Sequence, residues 1–501
     1  MLLLCLGITA AQATGHLLPQ SSDSYYIEAQ TALQERLAYQ PITNRAKNVI
    51  LFVADGQGVS SITAARIYAG QKVGNTGEEH YLALETFANF PHLALSKTYN
   101  DNAQTPDSAG TMSAMMTGVK TKAGVLSISK DVLRGDCVAA LNGELPTAIE
   151  MAEKIGMSTG VISTARITHA TPAAGYAHAA DRNYEDDSRL TPEQKAAGCR
   201  DIAAQLLDTP CGNGLEVALG GGRRHFIPQT LADPEDRNRT GRRTDGRNLT
   251  QEWLDKYQKS AYVWNRADFE SVNPFKIDHL LGLFEQSHME FEADRYKDAG
   301  GEPSLEEMTE KAIQILSKNP KGFVLAVESG RVDHAHHAGN AARALEDSLA
   351  FDAAVAKAVE MTDPEETLTI VTADHSHTLS LAGYAQRGNP ILGLVRGLDA
   401  SGLPSKDPVL ANDGLPYTAI GYINGPGALP KRADLTKVDT TDIDYIQQAL
   451  IPLNSETHSA EDVAIYARGP WAHLFSGTVE QNYIFHVIDY AAKLTERYGE
   501  H

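Results

Sequence analysis

Six short runs of this chain are largely apolar without strict alternation: Asn48–Ala54, Gly160–Ser163, Leu215–Gly220, Gly322–Val327, Thr367–Ala373 and Val463–Tyr466. A strand with one face on the core alternates apolar and polar residues, whereas a strand covered on both faces does not. Polar or glycine-containing turns and then helix-like stretches follow these runs. The pattern predicts a doubly wound α/β fold, a mainly parallel sheet with helices on both faces. A length of 501 residues suffices for one large domain with insertions. Residues 383–454, rich in Gly and Pro, lack the rhythm and read as an insertion within a main body spanning 14–501. The segment Asp233–Asn248, rich in Arg, Asp, Thr and Gly, reads as a surface excursion.

Polar residues of metal-binding type fall just after these runs. Asp55 ends the first, Glu328 another, and Asp374 with His375 a third. In an open α/β sheet, ligands bind outside the carboxyl ends of the strands, so residues distant in sequence can converge there. The stretch Glu328–Gly339 carries three histidines and two acids. If it opens a helix, Asp333 and His337 share a face. Asp374, His375 and His377 form a second cluster, and His458 follows Glu456 and Thr457. Carboxylate and imidazole donors without cysteine suit catalytic zinc. The oxygen donors Asp55, Thr171 and Glu328 better suit magnesium.

Ser108 precedes the helix-like stretch Met112–Thr117, where a helix N-terminus favours an anion. The same position suits Asp107 or Ser108 as a simple N-cap. Arg182 is a candidate fork for phosphate oxygens, with Arg166 and Arg200 as rivals by composition.

Lys and Arg number 44 against 64 Asp and Glu, a net charge of -20, which argues against a broad nucleic-acid or anionic-membrane surface. Residues 1–13 combine an apolar run with small residues at Ala11 and Ala13, like a secretion signal and its cleavage site. A periplasmic or secreted protein is expected. No later run reaches the roughly 20 apolar residues of a membrane span. Glu496–His501 is no hydrophobic tail, so no lipid anchor is expected. Beyond Cys5, Cys137, Cys199 and Cys211 allow one disulfide and one leftover thiol, and sequence alone does not choose the pair.

Taken together, these segments resemble the alkaline phosphatase family over nearly all of the chain after residue 45. The resemblance implies that Asp55, Ser108, Asp374 and His375 hold one zinc ion and that Asp333, His337 and His458 hold a second. It implies magnesium on Asp55, Thr171 and Glu328, and Arg182 on the phosphate. His169 and His334 stand where some bacterial members carry Asp and Lys, which is closer to the animal-type enzymes. With His377, they are expected around the metal ligands. Gln57 departs from the Met often found there. The family disulfide maps onto Cys137 and Cys199, leaving Cys211 unpaired. A structural calcium site maps onto Glu235, Glu285 and Glu302. The 383–454 insertion resembles the crown that covers the active-site entrance and joins subunits, which implies a homodimer. The implied reaction is hydrolysis of small phosphate monoesters at alkaline pH, through a phosphoserine on Ser108. Phosphodiesterases, sulfatases and phosphomutases share the scaffold, but Cys137 lacks a sulfatase-like C-x-P-x-R context, and the third metal set with Arg182 favours monoesters.

Overall fold

In the computed structural model, which describes residues 18–209 and 211–499, the strand at the centre is the first apolar run. The expected signal-like segment 1–13 lies outside the described residues. The strands are β1 (Asn48–Ala54), β2 (His92–Lys97), β3 (Ser158–Arg166), β4 (Val217–Gly221), β5 (Ser260–Val263), β6 (His279–Leu283), β7 (Phe323–Ser329) and β8 (Thr367–Thr372). Next come β9 (Ser376–His377), β10 (Leu379–Leu381), β11 (Ile420–Gly425), β12 (Ala449–Pro452), β13 (His458–Ser459), β14 (Val463–Arg468) and β15 (Thr478–Glu480). Ten of them form one sheet in the order β15-β2-β14-β8-β1-β7-β3-β4-β6-β5. From β8 to β5 every pairing is parallel. Strand β14 runs antiparallel to both β8 and β2, so the sixth apolar run reverses direction within an otherwise parallel centre.

The unbroken hydrophobicity of β1 follows from two cores. Val49, Leu51 and Val53 pack with Met112, Met115 and Ile488 on one face, whereas Ile50 and Phe52 pack with Leu345, Phe351 and Met308 on the other. Each residue alternates sides, yet both sides are dry.

Register then fixes the chemistry. Val53 lies opposite Glu328 on β7 and opposite Thr372 on β8, and Ser163 on β3 also faces Glu328. The carboxyl ends of four neighbouring strands are thereby level, and the polar residues that follow them meet in one place.

Contacts divide the chain into one unit ending at Pro41 and another from Ile42 onward. In the first, helix Ser24–Ala38 starts at Asp23, whose side chain accepts from the Tyr25 amide. The second holds all the strands. Within it, 383–454 carries β11 and β12, which join β10 in a three-stranded sheet, and is otherwise largely irregular. The segment Asp233–Asn248 is irregular as expected, but it is anchored from within. Arg243 is fully buried against Asp201 and Asp245, and buried Asp233 receives two donors from Arg223. Cys137 and Cys199 are bridged across 62 residues, and Cys211 is a free, half-buried thiol.

Candidate active site and metal centre

Helix Ser108–Thr117 begins with Asp107 as its cap, the side chain accepting from the Gly110 amide at 3.1 Å. Ser108 is therefore not the cap, and its hydroxyl is free for other work. Its Oγ lies 3.2 Å from His375 Nε2 and 3.5 Å from both Asp55 oxygens, in a site that leaves Ser108 only 3% exposed. Asp374 is fixed by the amides of Gly56 and His375 and by the Thr111 hydroxyl. One ligand atom from each of Asp55, Asp374 and His375 lies within 4.8 Å of the others.

Beside this triplet, helix Arg331–His337 presents Asp333 and His337 one turn apart, and β13 brings His458 to them. His337 Nδ1 donates to the Glu456 carbonyl at 2.6 Å, and His458 Nδ1 donates to the Pro106 carbonyl at 2.8 Å. In the tautomer that donates from Nδ1, each ring carries its lone pair on Nε2. The two Nε2 atoms are 3.1 Å apart, and each is 3.3 Å from Asp333 Oδ1. Two lone pairs and a carboxylate oxygen turned on one point repel unless a cation sits among them.

His377 differs, because it commits both nitrogens, Nε2 to Asp333 at 2.8 Å and Nδ1 to Glu456. Burial alone lowers its pKa, but hydrogen bonds and charge from those two carboxylates outweigh burial and push it up to about 9. It orients Asp333 and leaves no lone pair for a metal.

A third group brings Asp55 and Glu328 together with His169, one ligand atom from each within 4.8 Å of the others, and Thr171 lies beside Glu328. Glu328 receives the Ser163 hydroxyl on one oxygen, while Glu328 Oε1 and the Thr171 hydroxyl are buried without a hydrogen-bond partner. Oxygen donors of this kind fit a hard divalent cation. Burial, joined by the Asp333 and Asp374 charges, holds Asp55 well above the usual carboxylate range, and burial raises Asp374 and Glu328 too. Burial also holds His375 well below the usual imidazole range. Buried carboxylates crowded with neutral imidazoles form an anionic hole that bound cations would compensate.

Arg182 Nη1 meets Asp107 at 3.2 Å, and Nη2 lies 3.1 Å from His169 Nε2. These contacts set the guanidinium beside the helix that begins at Ser108. Arg166 instead forms a two-point fork with buried Glu185, and Arg200 reaches Glu144 at 3.4 Å away from this site. His169, His288 and His334 gather their rings 4.1 to 5.6 Å apart, edge to face or tilted, and burial keeps all three neutral.

Of the expected calcium residues, Glu235 and Glu285 converge with Asp298. Glu302 stands adjacent, with one oxygen on the Glu290 amide and the other buried without a partner. The sequence did not mark Asp298, Glu456, Gln481 or His288. Glu456, two residues before His458, was the most visible of these. Gln481 donates to the Asp374 carbonyl from 107 residues away, beyond any local pattern.

The alkaline phosphatase family model matches residues 46–494. Tissue-nonspecific alkaline phosphatase of Felis catus is 45% identical over 476 residues, covering 93% of this chain and 87% of the relative. Alkaline phosphatase of Gadus morhua is 44% identical over 473 residues, covering 93% and 95%. Among solved structures, alkaline phosphatase of Thermus thermophilus superposes with a TM-score of 0.64 at 25% identity and covers 96% of both chains. The enzyme of the Antarctic bacterium TAB5 gives 0.60 at 23% identity, covering 90% of this chain and 99% of that one, a likeness of fold. The chain belongs to the alkaline phosphatase family, a family of phosphatase hydrolases.

Proposed function

We propose that this chain hydrolyses small phosphate monoesters through a phosphoserine on Ser108, with two zinc ions and one magnesium. The observation that carries the reading is the pair of facing His337 and His458 Nε2 lone pairs beside Asp333, within reach of the Ser108 pocket. Asp333, His337 and His458 would hold one zinc, and Asp55, Ser108, Asp374 and His375 the other. Asp55, Thr171 and Glu328 would hold magnesium. Bound cations supply charge neutralisation for the phosphoryl group and lower the pKa of hydroxyl groups and water.

The chain's own groups do the rest. Ser108 Oγ forms a bond to phosphorus as the ester oxygen leaves, and water later cleaves the Oγ–phosphorus bond to release inorganic phosphate. The helix N-terminus behind Ser108 favours the anion, and the Arg182 fork matches two of its oxygens. Burial strengthens each of these contacts. Activity at alkaline pH, a periplasmic or secreted location and a homodimer complete the proposal. The bridged Cys137 and Cys199 support the location, and exposed apolar residues of the insertion such as Ile423 and Leu450 support the dimer.

The test is hydrolysis of p-nitrophenyl phosphate before and after chelation, with mass spectrometry of acid-quenched enzyme. Phosphate on Ser108 and loss of turnover on chelation are expected. Phosphate on another residue, or full activity without metal, sinks the reading.

A further inference from the structure

At the amino ends of the parallel strands, opposite the metal centre, lies a cavity of about 310 Å³ lined by Arg45, Trp471, Asp489, Tyr490, Lys493 and Glu496 among others. That volume lies at the lower end of small-molecule sites, roughly 300–1,000 Å³.

Its backbone is strained. Three described non-glycine residues have left-handed backbones, and two of them line this cavity: Trp471 at φ 63° and Lys493 at φ 56°. Glycine would serve either turn without a steric penalty, and such conformations gather where side chains have a task. The neighbouring structure enforces both. The Trp471 amide donates to the Ile42 carbonyl at 2.8 Å, and the Lys493 amide ends helix Tyr483–Ala492 on the Asp489 carbonyl. Trp471 meets the Tyr490 ring edge to face at 4.9 Å, and Tyr490 is 58% exposed although aromatic.

The charges sort cleanly. Both Asp489 oxygens are taken by the amide and hydroxyl of Thr495, and the Lys493 ammonium holds Glu496. Arg45 alone of these charged groups has no hydrogen-bond or ion-pair partner among the described residues. The cavity therefore offers aromatic walls and one free planar cation. A guanidinium of this kind matches the two oxygens of a carboxylate.

We propose that this cavity binds a small aromatic carboxylate, its ring against Trp471 and Tyr490 and its carboxylate on Arg45. The test is calorimetric titration of the metal-loaded protein with benzoate, and with benzamide as the neutral isostere. Saturable benzoate binding is expected, with benzamide weaker by roughly tenfold, the scale of one charge-assisted contact. Arg45→Gln, at an exposed position, should weaken benzoate by a similar factor and leave benzamide unchanged. Trp471→Gly should abolish benzoate binding and, because the indole also packs against the core, lower the melting temperature, whereas Arg45→Gln should melt like the parent protein. The proposal is overturned if benzoate shows no saturable binding, if benzamide binds as well as benzoate, or if either variant binds benzoate like the parent protein.

Discussion

Arg166 meets Glu185 through parallel contacts at 2.7 and 3.0 Å, and Glu185 is buried. Removing that guanidinium strands a carboxylate that keeps only Thr168 and His225 for company. Arg166→Ala is therefore expected to cost on the order of 3 kcal/mol of stability, as broken buried pairs do, and to lower the melting temperature. Arg182 has no such partner to strand, since Asp107 keeps the Gly110 and Gly124 amides. Arg182→Ala should leave the melting temperature nearly unchanged, raise KM and weaken inhibition by inorganic phosphate, each by roughly tenfold or more. Thermal melts and phosphate inhibition on both variants separate the roles. A larger phosphate effect from Arg166→Ala would show that the clamp is misassigned. Composition left these arginines equal, because a guanidinium's task depends on which carboxylate has already claimed it.

Among elements, the two-residue pair β9 and β13 has a reach beyond its size. It sets His377 opposite His458 and brings Glu456 onto His377 and Thr378. Glu456 thus orients a residue that orients Asp333, and outer partners of this kind tune metal affinity by roughly 10–100-fold. Glu456→Gln is expected to weaken zinc binding within that range, read by competition with a chromophoric chelator, with the fold retained in circular dichroism. Unchanged affinity would refute the role. The sequence could not disclose this link, since Glu456 and His377 are 79 residues apart and β13 is too short for any periodicity. The central strands were legible because burial on both faces leaves a plain apolar run. The outer strand β2 was not, for Leu93 is 56% exposed and its neighbours alternate. The ends of the apolar strands also pointed to Asp55, Glu328 and Asp374, because a parallel sheet delivers its strand ends to one edge.

Over the molecule as a whole, a second carboxyl pair bears on pH. Glu153 and Glu216 are buried on either side of Thr159, whose hydroxyl donates to Glu153 and whose amide donates to Glu216. Burial raises both, and the Glu216 charge raises Glu153 further, to about 8 and about 7 respectively. A carboxyl with a raised folded-state pKa stabilises fully below its unfolded value, near 4.3, and that contribution is lost as pH rises through the folded value. Thermal stability should accordingly decline from about pH 4 up to pH 7 to 8, where the two groups have ionised, and show no further loss from this pair above that. Glu216→Gln, which cannot ionise, should flatten the decline in melts taken from about pH 4 to 9. An equally steep decline in the variant would place the titration elsewhere.

The register of β1 also has a consequence in time. Val49 pairs with Val324 on one side and Leu368 on the other, so the first strand made waits long for both of its partners. A ribosome must extrude more than 300 residues before Phe52 and its neighbours gain both hydrogen-bonded partners, and His458 emerges later still. Until then, seven residues of unpaired apolar backbone travel with the nascent chain, a segment prone to misassociate. The central strand of this protein is thereby completed only late in synthesis, and the Asp333, His337 and His458 group comes together only once His458 has emerged.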